Sequence, residues 1–314
     1  MKPVLLVSIT LLVVQSPPVL EIQFWNLENF FDCKDGGTTA SDAEFSARGQ
    51  RHWTRKRYDA KCSAVAKTIL WTGDRTGRLP DVVAVAEVEN RRVLADLTRN
   101  TPLRKAGYGI IHYDSPDPRG IDVALIYRTK VLRPVCSAPI HIPGIATRDI
   151  LLAGFVGAED AHPPDTLYLL VNHHPSKYGG PSSAPRRAAA IARLRAVCDS
   201  LQALGARKII LTGDFNDTPD NPLFGSLGMR NLAEPLASRG EGTIRFGGRW
   251  ELIDMFFVPE GLDATMEILR PPFLLVRDNV HPGQKPFRTW SGPRYAGGVS
   301  DHLPILLTLP GDLP

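Results

Sequence analysis

Apolar runs of strand length, each ending at a polar turn, dominate the chain. Val19-Leu-Glu-Ile-Gln-Phe-Trp25 alternates apolar and polar side chains, which predicts a strand ending at Asn26-Leu-Glu28-Asn29. Asp81-Val-Val-Ala-Val-Ala86 is apolar after its first residue and ends at Glu87. Tyr108 to Tyr113 and Ile121 to Tyr127 predict consecutive strands, joined by a turn rich in proline and glycine, Asp114-Ser-Pro-Asp-Pro-Arg-Gly120. Further strands are predicted at Ile150 to Val156, Leu167 to Val171, Ile209 to Leu211, Leu252 to Val258, Phe273 to Val276 and Leu303 to Leu309. Helical spacing marks Arg55 to Leu70, where Tyr58, Cys62, Val65, Ala66 and Ile69 share a face, and Glu89 to Arg99. A third helix is opened by Ser183 and Pro185 and closed by Gly205. Hairpin-like and helix-separated connections are mixed, with no repeat and no linker. That pattern predicts one α/β domain with mixed sheets.

The N-terminus stands apart from this pattern. Lys2 precedes an apolar run, Val4 to Val14, that has the length of a signal-peptide core and is too short to span a membrane. Ser16 offers a small residue for cleavage, although Pro17 follows it and no Ala-x-Ala is present. The rival reading, a first buried strand, is weakened because the next strand begins at Val19. We expect residues 1–18 to be a signal peptide, residues 19–314 to be the folded domain, and the protein to be secreted or periplasmic.

Composition narrows the partners. A hydrophobic content of 43% supplies a core, and a net charge of +4 gives no global argument for nucleic-acid binding. A local argument exists, because Arg48, Arg51, Arg55, Lys56, Arg57 and Lys61 cluster around His52, Trp53 and Tyr58. Such a segment either meets phosphates or forms a solvated helix face. Cys33, Cys62, Cys136 and Cys198 match no zinc spacing. In an exported protein Cys33 could bridge to Cys62, and four free thiols are the alternative.

The chemistry gathers at strand ends. In Lys208-Ile-Ile-Leu-Thr-Gly-Asp-Phe-Asn-Asp-Thr-Pro219 a buried strand runs straight into Asp214, Asn216 and Asp217. Oxygen donors packed this closely suit a hard cation such as Mg²⁺, though a turn uses the same residues. The same event recurs at Asn26 and Glu28, at Glu87, at His173, and at Ser300-Asp301-His302. Asp254 lies inside an apolar strand, where a lone carboxylate is costly and calls for a metal or a hydrogen-bonded histidine.

In their order and residue types, Trp25-Asn26-Leu27-Glu28, Glu87, His173, Gly213-Asp214-Phe215-Asn216, Ile253-Asp254 and Ser300-Asp301-His302 resemble the endonuclease/exonuclease/phosphatase superfamily, which includes DNase I-like nucleases. Asp117-Pro-Arg119-Gly-Ile-Asp122 and Asn172-His173-His-Pro-Ser-Lys177 are similar to its exported bacterial endonuclease-like branch. His174 departs from that branch, which often carries Trp there. The resemblance implies a four-layer α/β sandwich, two mixed β-sheets face to face with helices outside. It implies that Asp254 orients His302 as the base for water, and that Glu28 and Glu87 hold Mg²⁺ or Mn²⁺, with Asn26 and Asp301 as auxiliary ligands. Ca²⁺ is an alternative structural ion. Asp214 and Asn216 would position water and phosphate or hold a second metal, and His173 would donate to the phosphate or leaving group. Asp122, Lys177 and Arg187 are candidates for substrate binding.

The function implied is metal-dependent phosphodiester hydrolysis, with endonucleolytic cleavage of nucleic acid, DNA first, as the expected reaction. A monomer without stable membrane insertion is expected. A sphingomyelin or phospholipid phosphodiesterase, or an inositol-phosphate phosphatase, would share the machinery at phosphorus. Such a lipid enzyme needs an exposed apolar loop, for which Phe45 and Trp53 are the nearest candidates. A non-catalytic binding module would be expected to lack Glu87, His173 or His302.

Overall fold

The computed structural model of the protein describes residues 19–159, 166–177 and 183–311. The leader expected at residues 1–18 therefore lies outside the described residues. The first half runs β1 (Val19–Phe30), α1 (Ala40–Glu44), α2 (Arg55–Thr76), β2 (Val82–Val88), α3 (Arg91–Arg99), β3 (Tyr108–His112), β4 (Asp122–Arg128) and β5 (Leu132–Ile140). It continues through β6 (Ile150–Gly157), β7 (Leu167–His173), α4 (Ala184–Ala203), β8 (Lys208–Asp214), β9 (Arg230–Asn231) and α5 (Glu234–Ser238). A hairpin follows, β10 (Ile244–Phe246) and β11 (Arg249–Glu251), then β12 (Asp254–Val258) and β13 (Thr265–Ile268). Two short hairpins, β14 and β15 (Leu275–Arg277, Gln284–Pro286) and β16 and β17 (Trp290–Ser291, Arg294–Tyr295), precede β18 (Ile305–Pro310).

Twelve of these strands build two six-stranded sheets, in the orders β13-β18-β1-β2-β4-β3 and β5-β6-β7-β8-β12-β9. Each sheet has one parallel pair at its centre, β1 with β2 and β7 with β8, and antiparallel neighbours on both sides. Each parallel pair is joined through a helix, α2 in the first sheet and α4 in the second, as a parallel connection requires. The sheets pack face to face, with β1 and β2 against β8 and β4 against β7. The structure is the four-layer α/β sandwich.

Burial explains the alternation in β1. Leu20, Ile22 and Phe24 are buried, yet Glu21 and Gln23 on the opposite face are buried too. That polar face lies under α2 rather than in water. Thr72 donates to Gln23 at 3.0 Å and Thr76 to Glu21 at 3.1 Å, so the helix supplies the hydrogen bonds that solvent would otherwise make. On the second sheet, α4 packs through Ala190, Ile191, Leu194 and Cys198. Ser183 precedes that helix as expected, but its hydroxyl accepts from Arg187 Nη1 at 2.8 Å and makes no cap.

Three strands of the two large sheets escaped the sequence pattern, as did most of the short hairpin strands. β5 carries Pro134 and Pro139 and is half exposed, as an edge strand tolerates; β9 and β13 are two and four residues long. Phe273 and Leu274 turn out to lie in a 3₁₀ turn, with strand only from Leu275. All four cysteines are free thiols, so Cys33 and Cys62 form no bridge. Phe45 and Trp53 are buried, so neither can serve as a lipid-contacting loop. Among the described residues no helix is long and apolar enough to cross a membrane.

Candidate active site

Sheet register puts three of the candidate residues in one row. His173 at the end of β7 is the register partner of Asp214 at the end of β8, and Asp214 is the partner of Asp254 at the start of β12. Across the sandwich, the regular register of β1 and β2 runs to Asn26 and Ala86, and beyond them it slips, three residues of β1 standing against Glu87 alone before Phe30 meets Val88. This bulge places Glu28 (φ 46°) and Glu87 (φ 60°) in the left-handed region. Such a backbone is unfavourable for side chains larger than glycine and re-aims both carboxylates out of the ladder. Asn216 has φ 49° for the same kind of turn after β8. Gly213, at φ 155°, is obligatory, since a Cβ there would stand 2.2 Å from the Asn172 carbonyl oxygen.

The side chains from both sheets then meet. His302 Nδ1 lies 2.8 Å from Asp254 Oδ2, while Asp254 Oδ1 is buried without a hydrogen bond. His302 Nε2 faces Asp214 Oδ2 at 3.8 Å. Asn26 crosses between the sheets, donating from Nδ2 to Asp214 Oδ2 at 3.0 Å and accepting the Glu28 N–H on Oδ1 at 3.0 Å. Through these two bonds Asn26 sets Asp214 and Glu28 relative to one another. Asp214 Oδ1 accepts from the Asn216 N–H at 2.9 Å, and Asn216 Nδ2 donates to the His174 carbonyl at 3.0 Å. His173 Nε2 stands 3.6 Å from Asp214 Oδ2 and 3.7 Å from Glu87 Oε1.

Glu28 is held by a segment that the sequence did not single out. Its Oε2 accepts from Thr289 N at 2.6 Å and its Oε1 from Trp290 N at 3.2 Å. Arg288 donates to Asp301 at 2.8 Å and reaches Glu28 Oε1 at 3.5 Å. Lys61, fully buried, donates to the Glu28 carbonyl at 2.6 Å and to the Thr289 hydroxyl at 2.8 Å, and lies over the Phe30 ring. Its signal was available: Lys61 sits one helical turn after Tyr58 on the buried side of α2, where a lysine has no place without a partner.

The three candidates for substrate binding are held in two different ways. Asp122 does not face the site; its carboxylate accepts from Ser115 N–H at 2.9 Å and hydroxyl at 2.5 Å and contacts His112 at 3.1 Å, so it pins the preceding turn. Lys177 and Arg187 both converge on Asp217, at 2.9 and 3.3 Å. Of the two, Lys177 lines the open cleft beside the site, and Arg187 is buried. In the basic segment Arg51 is bound to Glu44 and the Gly292 carbonyl, Arg55 to Asp59, and Arg57 to the carbonyls of Arg51 and His52.

Charge is unevenly distributed at the centre. Burial, with the Asp301 charge adding to it, pushes the Glu28 carboxyl up to about 8. Burial also pushes Asp214 up to about 7. Burial opposes charge on His302, but Asp254, and behind it Asp214 and Asp301, outweigh it and hold its pKa well above the ordinary histidine value. Burial, then the Arg148 and Arg119 guanidinium groups, depress His173 well below that value, so it is neutral. The two histidines that face this acid cluster are thus shifted in opposite directions.

A divalent cation fits this donor set. Burial and neighbouring acids push these carboxylates towards protonation despite the cations beside them, and hard oxygens are the ligands Mg²⁺ and Mn²⁺ take. Among the described residues, Asp214, Asp254 and His302 form one group with ligand atoms within 4.8 Å of one another; His112, Asp114 and Asp122 form the other. Glu28, Glu87 and Asp301 are in neither group. The cleft, about 430 Å³, is lined by Lys177, Asn216, Phe246, Arg288, Asp301 and His302 among others.

The fold has several known counterparts. An endonuclease/exonuclease/phosphatase family protein from Bacteroides thetaiotaomicron matches with TM-score 0.58 at 18% identity, over 95% of this chain and 100% of that one. A mannosyl-6-phosphatase from the same organism matches with TM-score 0.56 at 17% identity, over 94% and 99%. TDP2 from D. rerio, solved with a single-strand DNA product, matches with TM-score 0.52 at 16% identity, over 92% and 98%. No curated protein matches the chain by sequence. The model of the endonuclease/exonuclease/phosphatase family matches residues 21–310, which takes in both sheets and every residue of the site just described, and the chain belongs to that family.

Proposed function

We propose that the chain is a divalent-metal-dependent phosphodiesterase whose substrate is nucleic acid. The observation that carries this reading is the Asp254–His302 pair, 2.8 Å apart, placed with its free Nε2 towards Asp214 at the wall of an open cleft. Asp254 fixes the tautomer of His302, leaving Nε2 to take a proton from water. Asp214 and Asn216 orient that water and the phosphate. His173, neutral and beside Glu87, donates a hydrogen bond to the phosphate as charge builds on its oxygens. A cation on Glu28 and Glu87 would supply positive charge to the phosphate oxygens and offset the carboxylate field that keeps His302 protonated.

Nucleic acid is favoured by the cleft lining. Lys177, Arg245 and Arg288 line it beside the acids Glu251 and Asp301, and Phe246 stands among them. Several cations spaced along one groove suit a polymer of phosphates. TDP2 with its single-strand DNA product supports the same reading, whereas the mannosyl-6-phosphatase points to a sugar monophosphate. The test is incubation of the purified protein with plasmid, single-stranded DNA, RNA, mannose 6-phosphate and sphingomyelin, each with Mg²⁺ and with EDTA. Chelator-sensitive cleavage of the nucleic acids is expected; hydrolysis confined to mannose 6-phosphate or sphingomyelin would replace nucleic acid with that substrate.

A further inference from the structure

Arg288 does more than line the cleft, because it stands at two carboxylates of the site itself. Its Nη2 lies 2.8 Å from Asp301 Oδ2 and its Nε 3.5 Å from Glu28 Oε1, so one guanidinium spans two of the carboxylates placed around the cation. The backbone around it is fixed: Thr289 N and Trp290 N are hydrogen-bonded to the Glu28 carboxylate, and Lys61 is bonded to the Thr289 hydroxyl. The side chain itself is not enclosed. It is 45% exposed and lines the cleft with Asn216 and His302. A guanidinium at these oxygens neutralises them as a cation would, and two positive charges at the same carboxylates repel one another. If it leaves them, the open cleft is the direction available, and a phosphate is the partner for which its fork is shaped.

Resting on the metal-dependent reading of the site, we propose that Arg288 is a built-in competitor for the cation, a positioning residue that holds Glu28 and Asp301 until metal arrives and then turns into the cleft to grip the substrate phosphate. By linkage, whatever the arginine costs the cation in affinity, the cation costs the arginine in its hold on the acids. Metal and substrate thereby favour one another through one side chain, since a phosphate that draws Arg288 away frees the carboxylates.

Manganese titration of the free protein tests this without reference to turnover. Calorimetry with Mn²⁺ should show Arg288→Gln binding the ion at least about fivefold more tightly than the unaltered protein, the low end of typical coupling. Arg288→Lys, which keeps a charge but loses the fork, should fall between. In turnover of bis(p-nitrophenyl) phosphate at saturating Mn²⁺, Arg288→Gln should raise KM several-fold with a smaller change in kcat. Thermal unfolding of each variant checks that the fold is intact. Unchanged or weaker Mn²⁺ binding in Arg288→Gln would overturn the competitor role, and an unchanged KM would overturn the grip on phosphate. No Mn²⁺ binding to the unaltered protein at millimolar ion would instead remove the metal-dependent reading, and this proposal with it.

Discussion

At the scale of single residues, the Asp254–His302 contact is the strongest lever. One oxygen of Asp254 holds the imidazole and the other is buried unpaired, so the carboxylate depends on that one partner. His302→Ala and Asp254→Ala should each cut turnover by about a thousandfold or more, and the double variant should be scarcely worse than either, because residues acting as one unit do not lose independently. Multiplying losses in a kinetic cycle would separate the pair. The pH dependence has a definite sign. A base must be unprotonated, and Asp254 raises the His302 pKa, so activity should rise with pH through that pKa. Asp254→Asn removes the raising charge and should move the acidic limb of kcat/KM to lower pH, as a pH–rate profile would show. Glu87→Gln keeps shape and loses charge, so Mn²⁺ affinity should collapse while the unfolding midpoint holds. His174 offers the opposite case. It is buried against Phe215 with neither ring nitrogen hydrogen-bonded, and burial with Arg148 nearby presses its pKa down to about 3. His174→Phe should therefore raise stability by about 1–2 kcal/mol, read as a later urea midpoint with unchanged m.

At the scale of elements, the site is a set of strand terminations, which is why much of it could be read from the chain. An apolar run that stops at an acid leaves the same trace in sequence as in space, so Glu87, His173 and Asp214 were found at the ends of β2, β7 and β8. What could not be read is how each end turns. The bulge that aims Glu28 and Glu87 depends on register between strands more than fifty residues apart, and nothing local to Asn26-Leu-Glu28-Asn29 specifies it. The partner of Asp122 was hidden for the same reason, because the His112 side chain that meets it stands on the adjacent strand. Lys61 was counted with the basic cluster of its segment despite its place on the buried side of α2, and Arg288 looks like an ordinary surface cation until the partner segment is present. The turn after β8 is the least forgiving. Gly213→Ala would place a Cβ on the Asn172 carbonyl at an unfavourable φ, and should cost about 2–4 kcal/mol in thermal or urea unfolding.

At the scale of the whole molecule, the two sheets repeat one plan, a parallel pair flanked by antiparallel strands, and the site lies where the two central pairs end against each other. This places the cleft on one rim of the sandwich and the exposed basic residues of α2 and the loop before it elsewhere in the charge ledger. Arg55 already pairs with Asp59. Replacing Arg48, Arg55 and Lys56 with Gln should leave the log–log salt slope of DNA binding unchanged, whereas a loss of about one unit per residue would put the polymer on that face. The position of β18 has a consequence of another kind. This strand enters between β1 and β13, and Asp301 and His302 arrive just ahead of it. Until β18 pairs, β1 has a bare apolar edge and Asp254 has no imidazole beside it. Closing the first sheet and completing the acid–histidine cluster are therefore one event, and whatever loosens β18 from β1 also loosens the cluster.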